Sequence, residues 1–178
     1  MSWLARALLS AGMDVTLIVD GANVMGSRAD GWWRDRAGAM ARLHGELAAL
    51  AAEGIAGPVP GEPGPAEAAG AAGEAGAAGE VRAAGEAGAA GEATGGRWFP
   101  HVDLVVEGRA RAVLDLVAPA PGVRVVAARG EGDDEIAHLA GQLTGKRVVV
   151  TADRELRRRC EAAGAAVAGP GWLLRQFS

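Results

Sequence analysis

The chain has 178 residues, 49% of them apolar, a formal charge of −4 and a single cysteine, Cys160. That length suits one domain spanning residues 1–178, and the apolar share suffices for a core even though alanine supplies much of it. One cysteine excludes an internal disulfide and a cysteine-based zinc site, a reducing, cytoplasmic compartment is expected, and no run approaches the roughly 18 consecutive apolar residues of a membrane span.

The first residues, "MSWLARALLSAG", read as a short helix or as an over-long start, since Met13 opens "MDVTLIVD" and would make a natural first residue. "VTLIVD", Val15 to Asp20, reads as a buried strand that ends on a carboxylate, followed at once by Gly21 and Asn23. "RDRAGAMARLHGELAALAAEG" then carries Ala39, Leu43, Leu47 and Leu50 at helical spacing, with Gly54 as a stop.

Residues 56–96 differ in kind. Four copies of a six-residue unit run from residue 73 to 96, and the segment holds six Glu against one Arg, a net charge of −5. Glycine falls on a three-residue frame that suggests collagen, but Glu67 and Arg82 interrupt it and proline is scarce beyond residue 65. Each glycine costs about 1 kcal/mol in a helix relative to alanine, and almost nothing large and apolar is present to bury. The segment reads as a disordered insertion within the domain. Without it the chain is close to neutral, and residues 97–178 hold 12 Arg or Lys against 10 Asp or Glu.

Past the insertion the pattern alternates. "HVDLVVEG" and "GVRVVAARG" read as strands, "DDEIAHLAGQL" as a helix with acids at its start, and "RVVVTAD" as a further strand. "RELRRRCEAAG" reads as a helix ending at Gly164, "AAVAG" as a short last strand and "PGWLLRQF" as a closing helical turn. Apolar, β-branched strands alternating with helices imply an α/β fold whose parallel sheet is covered on both faces. Ligands of such sheets bind beyond the carboxyl ends of the strands.

Acids follow three of those ends: Asp20 after the first strand, Asp133 and Asp134 at the start of the helix in "GDDEI", and Asp153 in "VVVTAD". Any one of them could serve only as a turn former or helix cap. Gathered at one edge they would repel one another unless a cation bound, and an all-oxygen donor set favours Mg²⁺ or Mn²⁺ over zinc. Asn23 could bind substrate or hold the loop at Asp20.

"VDGANV" at a first strand, "GDDEI" opening a later helix and "VVVTAD" at a fourth strand resemble the NYN branch of the PIN-like nuclease superfamily, in particular its YacP-like group. The resemblance covers roughly residues 14–26 and 98–170. It implies a three-layer, Rossmann-like α/β sandwich about a mainly parallel sheet, whose acidic cluster binds Mg²⁺ or Mn²⁺ and cleaves RNA phosphodiesters. Carried over by motif, Asp20, Asp133 and Asp153 match the metal-binding and catalytic acids, and Asp134 is included beside Asp133 because sequence does not fix which of the pair faces the metal. The departure is at the last strand, where many members carry a further acid and "AAVAGPGW" offers none. Glu155 and Asp103 are the nearest substitutes, and Asp103 lies at the start of its strand, at the wrong edge.

The other enzyme classes fit less well. A haloacid-dehalogenase-type phosphatase needs a second aspartate where Ala22 stands, "GQLTGKR" lacks the spacing of a phosphate loop, and no dinucleotide-binding glycine motif follows a strand. The sequence therefore reads as a metal-dependent ribonuclease acting on single-stranded RNA. A non-catalytic RNA-binding module and a hydrolase of free nucleotides, of the pyrophosphohydrolase kind, are the alternatives, and a homo-oligomer is compatible with all three. Arg154, Arg157 and Arg158, with Arg159 beside them and Arg28, Arg34 and Arg36 in the opposite loop, are candidates to hold the RNA backbone. Trp32 and Trp33 read first as packing at a helix start and second as stacking platforms for bases.

Overall fold

The computed structural model describes residues 14–62 and 96–177. The expectations for residues 1–13, the alternative start at Met13 among them, and for residues 63–95 of the insertion lie outside the described residues. Five strands form one wholly parallel sheet: β1 (Val15–Asp20), β4 (His101–Val106), β5 (Val123–Ala127), β6 (Lys146–Val150) and β7 (Ala166–Ala168). Their spatial order is β5-β4-β1-β6-β7. The chain thus builds outward from β1 in one direction, then returns to build from its other side.

Strand side chains alternate between faces, and the two resulting cores are separate. Leu17 and Val19 of β1, Leu104 and Val106 of β4 and Val148 and Val150 of β6 pack on one face under helix α2 (Arg36–Glu53). Ile18, Val105 and Val149 pack on the other, under α3 (Gly132–Gln142) and α4 (Arg154–Ala162). A 3₁₀ segment (Gly108–Asp115) and the closing helix α5 (Pro170–Leu174) complete the first layer through Ala110, Val113 and Leu173. The result is a three-layer, Rossmann-like α/β sandwich.

Helix α2 follows the spacing in its sequence. Asp35 caps it by accepting the Gly38 N–H at 2.9 Å, Ala39, Met40, Leu43, Leu47 and Leu50 are buried, and Gly54 ends it at φ 77°. A short helix α1 (Gly21–Gly26), which the sequence did not reveal, follows β1 directly. Gly21 has no room for a side chain: a Cβ there would sit 2.8 Å from the Val105 carbonyl oxygen and 2.7 Å from the Met40 methyl.

The start of the insertion needs correcting. Ile55–Ala56 (β2) pairs antiparallel with Arg97–Trp98 (β3), Val59 is buried in the core, and Glu62 pairs with Lys146. Residues 56–62 are therefore packed, because Val59, hidden in a composition averaged over 56–96, is buried and Trp98, just beyond that range, returns to pair with this segment. The Trp98 indole N–H also donates to the Gly57 carbonyl at 3.1 Å. Accordingly, Val59→Asp should destabilise the fold by roughly 2–4 kcal/mol, since it buries an unpaired carboxylate. Equilibrium urea unfolding measures this, and an unchanged midpoint would return the segment to solvent.

Candidate functional site

The β1–β4 and β1–β6 registers decide which groups meet at the carboxyl edge of the sheet. Asp20 lies level with Val105, and Val19 with Val150, so the next residue of each chain puts Asp20 opposite Thr151. By the two-residue period, Asp20, Glu107 and Thr151 continue the face of Ile18, Val105 and Val149, the face that carries α3 and α4. The loops after β1 and β6 leave to opposite layers, which opens a crevice between them, as expected where strand order reverses.

Asp20 is buried, and both its oxygens are held. Oδ1 accepts the Asn23 N–H at 3.0 Å, capping α1, and Oδ2 accepts the Thr151 hydroxyl at 2.9 Å. Thr151 in turn accepts the Asp153 N–H at 3.1 Å. Asn23 bridges the crevice, its Oδ1 accepting the Ala152 N–H at 3.0 Å. Of the two roles open for Asn23, it therefore performs the loop-holding one, and its amide nitrogen is the part left to meet a ligand. Asp153 caps α4 by accepting the Leu156 N–H at 2.8 Å through Oδ1. The capping role that sequence allows for Asp20 and Asp153 thus coexists with a place at the cavity.

That cavity, about 470 Å³, is lined by Asp20, Glu107, Asp133 and Asp153 together with Asn23 and Ser27. Glu107 was not among the acids that the sequence motifs single out. It follows β4, and its Oε2 accepts the Gly132 N–H at 2.6 Å, tying the β4 exit to the start of α3. The signal was present: "VVEG" repeats the apolar-run, acid, glycine pattern of "IVDG". Gly108 behind it turns the chain at φ 51°. Four strand exits, not three, deliver an acid, so the acid missing after the last strand is offset by one after β4. Neither substitute fits: Asp103 is paired with Arg124 at 2.8 and 2.5 Å at the other edge, and Glu155 is paired with Arg158 at 2.7 Å on exposed helix surface.

The adjacent acids Asp133 and Asp134 separate. Asp133 lines the cavity and accepts no hydrogen bond from the described residues, whereas Asp134 is exposed and paired with Arg159 at 2.7 Å. Assigning Asp134 to the cluster alongside Asp133 is thereby corrected, since one residue is about 100° of helix rotation. The candidate RNA-backbone arginines also lie elsewhere: Arg154, Arg157 and Arg158 line a shallow groove with Glu161 and do not line the cavity. Arg28 is tied to Glu46 and lies 5.6 Å from the Phe177 ring centre.

Electrostatics agrees with the geometry. Burial pushes the Asp20 carboxyl above its ordinary range, the Asn23 and Thr151 hydrogen bonds oppose this, and the charges of Asp133 and Glu107 add to the rise. Asp133 is raised by burial and then by Asp153 and Glu107, with Arg159 opposing. Among the described residues, no three Asp, Glu, His or Cys side chains converge closely enough to form a ready-made coordination shell. The donor set nevertheless suits a hard cation held by one or two carboxylates, water and a ligand's phosphate, which is the habit of Mg²⁺. Glu107 Oε1, Asp153 Oδ2 and both Asp133 oxygens are the acceptors left over.

No protein-family model and no curated protein matches the chain. Among solved structures it is similar to Rae1 (YacP) from Bacillus subtilis, at 17% sequence identity and a TM-score of 0.55, over 93% of this chain and 75% of that one. At that identity the likeness establishes the fold. Its name falls in the same YacP group that the three sequence motifs resemble.

Proposed function

We propose that the protein is a ribonuclease that hydrolyses phosphodiester bonds of single-stranded RNA at the acidic cavity, with Mg²⁺ or Mn²⁺ as cofactor. The observation that carries this reading is the meeting of Asp20, Glu107, Asp133 and Asp153, from four separate strand exits, in one cavity where burial first, and the neighbouring acids next, raise the proton affinity of Asp20 and Asp133. The motif resemblance and the likeness to Rae1 (YacP) support it. A divalent ion, when bound, supplies an activated water and neutralises charge on the phosphoryl group. Asp20 is the rigid member, locked by Asn23 and Thr151. Glu107 and Asp153 line the cavity, and each spends one oxygen on a helix start and keeps the other unengaged. Asp133, with both oxygens unengaged, is the group placed to take a proton from attacking water.

The lack of a ready-made coordination shell among the described residues favours one second reading, a non-catalytic RNA-binding module. A labelled unstructured RNA incubated with Mn²⁺, with EDTA and with a free nucleotide as controls, separates the readings. Cleavage that requires Mn²⁺ is expected. Binding without cleavage would replace the enzyme by the binding module, and turnover of the nucleotide alone would make free nucleotides the substrate.

A further inference from the structure

Trp32 and Trp33 begin a 3₁₀ turn (Trp32–Arg34), and their fates differ. Trp32 is half-buried and packs against the core under α2, whereas Trp33 is 57% exposed. The two rings meet edge-on, 6.4 Å apart at 83°, so Trp32 props Trp33 outward. Packing at a helix start accounts for Trp32 and leaves Trp33 unexplained. Trp33 forms one wall of a groove of about 370 Å³ whose charged lining is Arg34, Arg36, Arg109 and Asp35. Asp35 spends one carboxylate oxygen on the Gly38 N–H, and the three arginines outnumber it. The Arg34 guanidinium lies 6.0 Å from the Trp33 ring centre, and that of Arg36 5.3 Å from Trp32.

Groove and acidic cavity are linked through neighbouring residues, with no lining residue in common. Arg109 stands two residues after Glu107, across the left-handed turn at Gly108. A Trp32 ring carbon comes within 4.0 Å of where a Cβ on Gly26 would lie, and Gly26 lines the cavity. An exposed indole beside arginines offers what an unpaired strand needs, a face for a base and cations for the flanking phosphates. Acidic cavity and basic groove together suit a phosphodiester at the first and its neighbouring nucleotide at the second.

We infer that the Trp33–Arg34–Arg36–Arg109 groove is a nucleotide subsite that stacks one base of a single-stranded RNA on Trp33 while the arginines hold its phosphates. The inference rests on the RNA reading of the acidic cavity but not on its being catalytic.

Binding of a fluorescently labelled oligoadenylate to the full chain in EDTA, followed by anisotropy across salt concentrations, tests it. Trp33→Ala should weaken binding about tenfold, as expected for the loss of one base stack, and Trp33→Phe should recover most of that loss. The double variant Arg34→Ala, Arg109→Ala should flatten the log–log salt slope by about 1.4, or about 0.7 for each phosphate of a single strand left without its arginine. Unaltered melting temperatures guard against misfolding. Wild-type affinity in Trp33→Ala, or a Trp33→Phe variant as weak as Trp33→Ala, would overturn the subsite. The two readings fail separately. If Trp33→Ala loses binding while the wild type never cleaves with Mn²⁺, the subsite stands and the ribonuclease falls. If the wild type cleaves with Mn²⁺ and Trp33→Ala binds like it, the reverse holds.

Discussion

Glu107→Gln should lower Mn²⁺-dependent RNA cleavage about a thousandfold while shifting the melting temperature little. The amide oxygen can still accept the Gly132 N–H that Glu107 now accepts, so the β4 exit stays tied to α3. What disappears is a negative charge facing the cavity. The electrostatic contribution of a metal-centred site to phosphoryl chemistry is several kcal/mol, and each 1.36 kcal/mol is about tenfold in rate. Asp134→Asn is the matched control. Its carboxylate lies outside the cavity in an exposed pair with Arg159, so stability should change by less than about 1 kcal/mol and cleavage rate by less than about twofold. Initial rates on one labelled RNA measure both variants. A Glu107→Gln enzyme at wild-type rate, or an Asp134→Asn enzyme that is dead, would reassign the cluster.

The second large effect couples metal to pH. Asp20 and Asp133 have folded-state pKa values raised above the ordinary carboxylate value, by burial first and neighbouring acids next. The sign follows from linkage. Below the unfolded pKa both states hold the proton, and the contribution of these acids to stability is fully present. As pH rises through the raised folded pKa, the unfolded chain releases the protons more readily and that contribution is lost. The metal-free protein should therefore lose stability at this site between acidic and neutral pH. A bound divalent ion stabilises the charged forms, and at about 100 times its dissociation constant it adds about 2.7 kcal/mol. For a chain of this size that is about 5–10 °C in melting temperature. The Mn²⁺-induced rise should be full at neutral pH, shrink as acid returns protons to Asp20 and Asp133, and vanish in Asp20→Asn. A pH-independent rise, or one retained in Asp20→Asn, would place the ion elsewhere.

Local periodicity was enough to read five strands, the helices α2, α3 and α4 and the closing turn, because burial on one or two faces writes a two- or 3.6-residue rhythm into the chain. Gly54 as a stop and Asp153 before a helix were legible for the same local reason. Asp20, Asp133 and Asp153 stood out because each follows an apolar run or opens a helix. Other features depend on contacts between distant segments. Glu107 joins the cluster because β4 lies beside β1 and α3 crosses that face of the sheet, and neither fact is local. Asp133 faces the cavity and Asp134 faces Arg159 because the docking of α3 sets its rotation, which two adjacent acids cannot reveal. Val59 is folded because Trp98, far along the chain, returns to it through the β2–β3 pair. Trp33 is exposed because Trp32 takes the inner place. Which segments become the five main strands and the longer helices, and that acids stand at strand ends, was written in the order of residues. Which acids meet, and which aromatic ring faces water, was settled only when strand order and helix rotation fixed the distances between them.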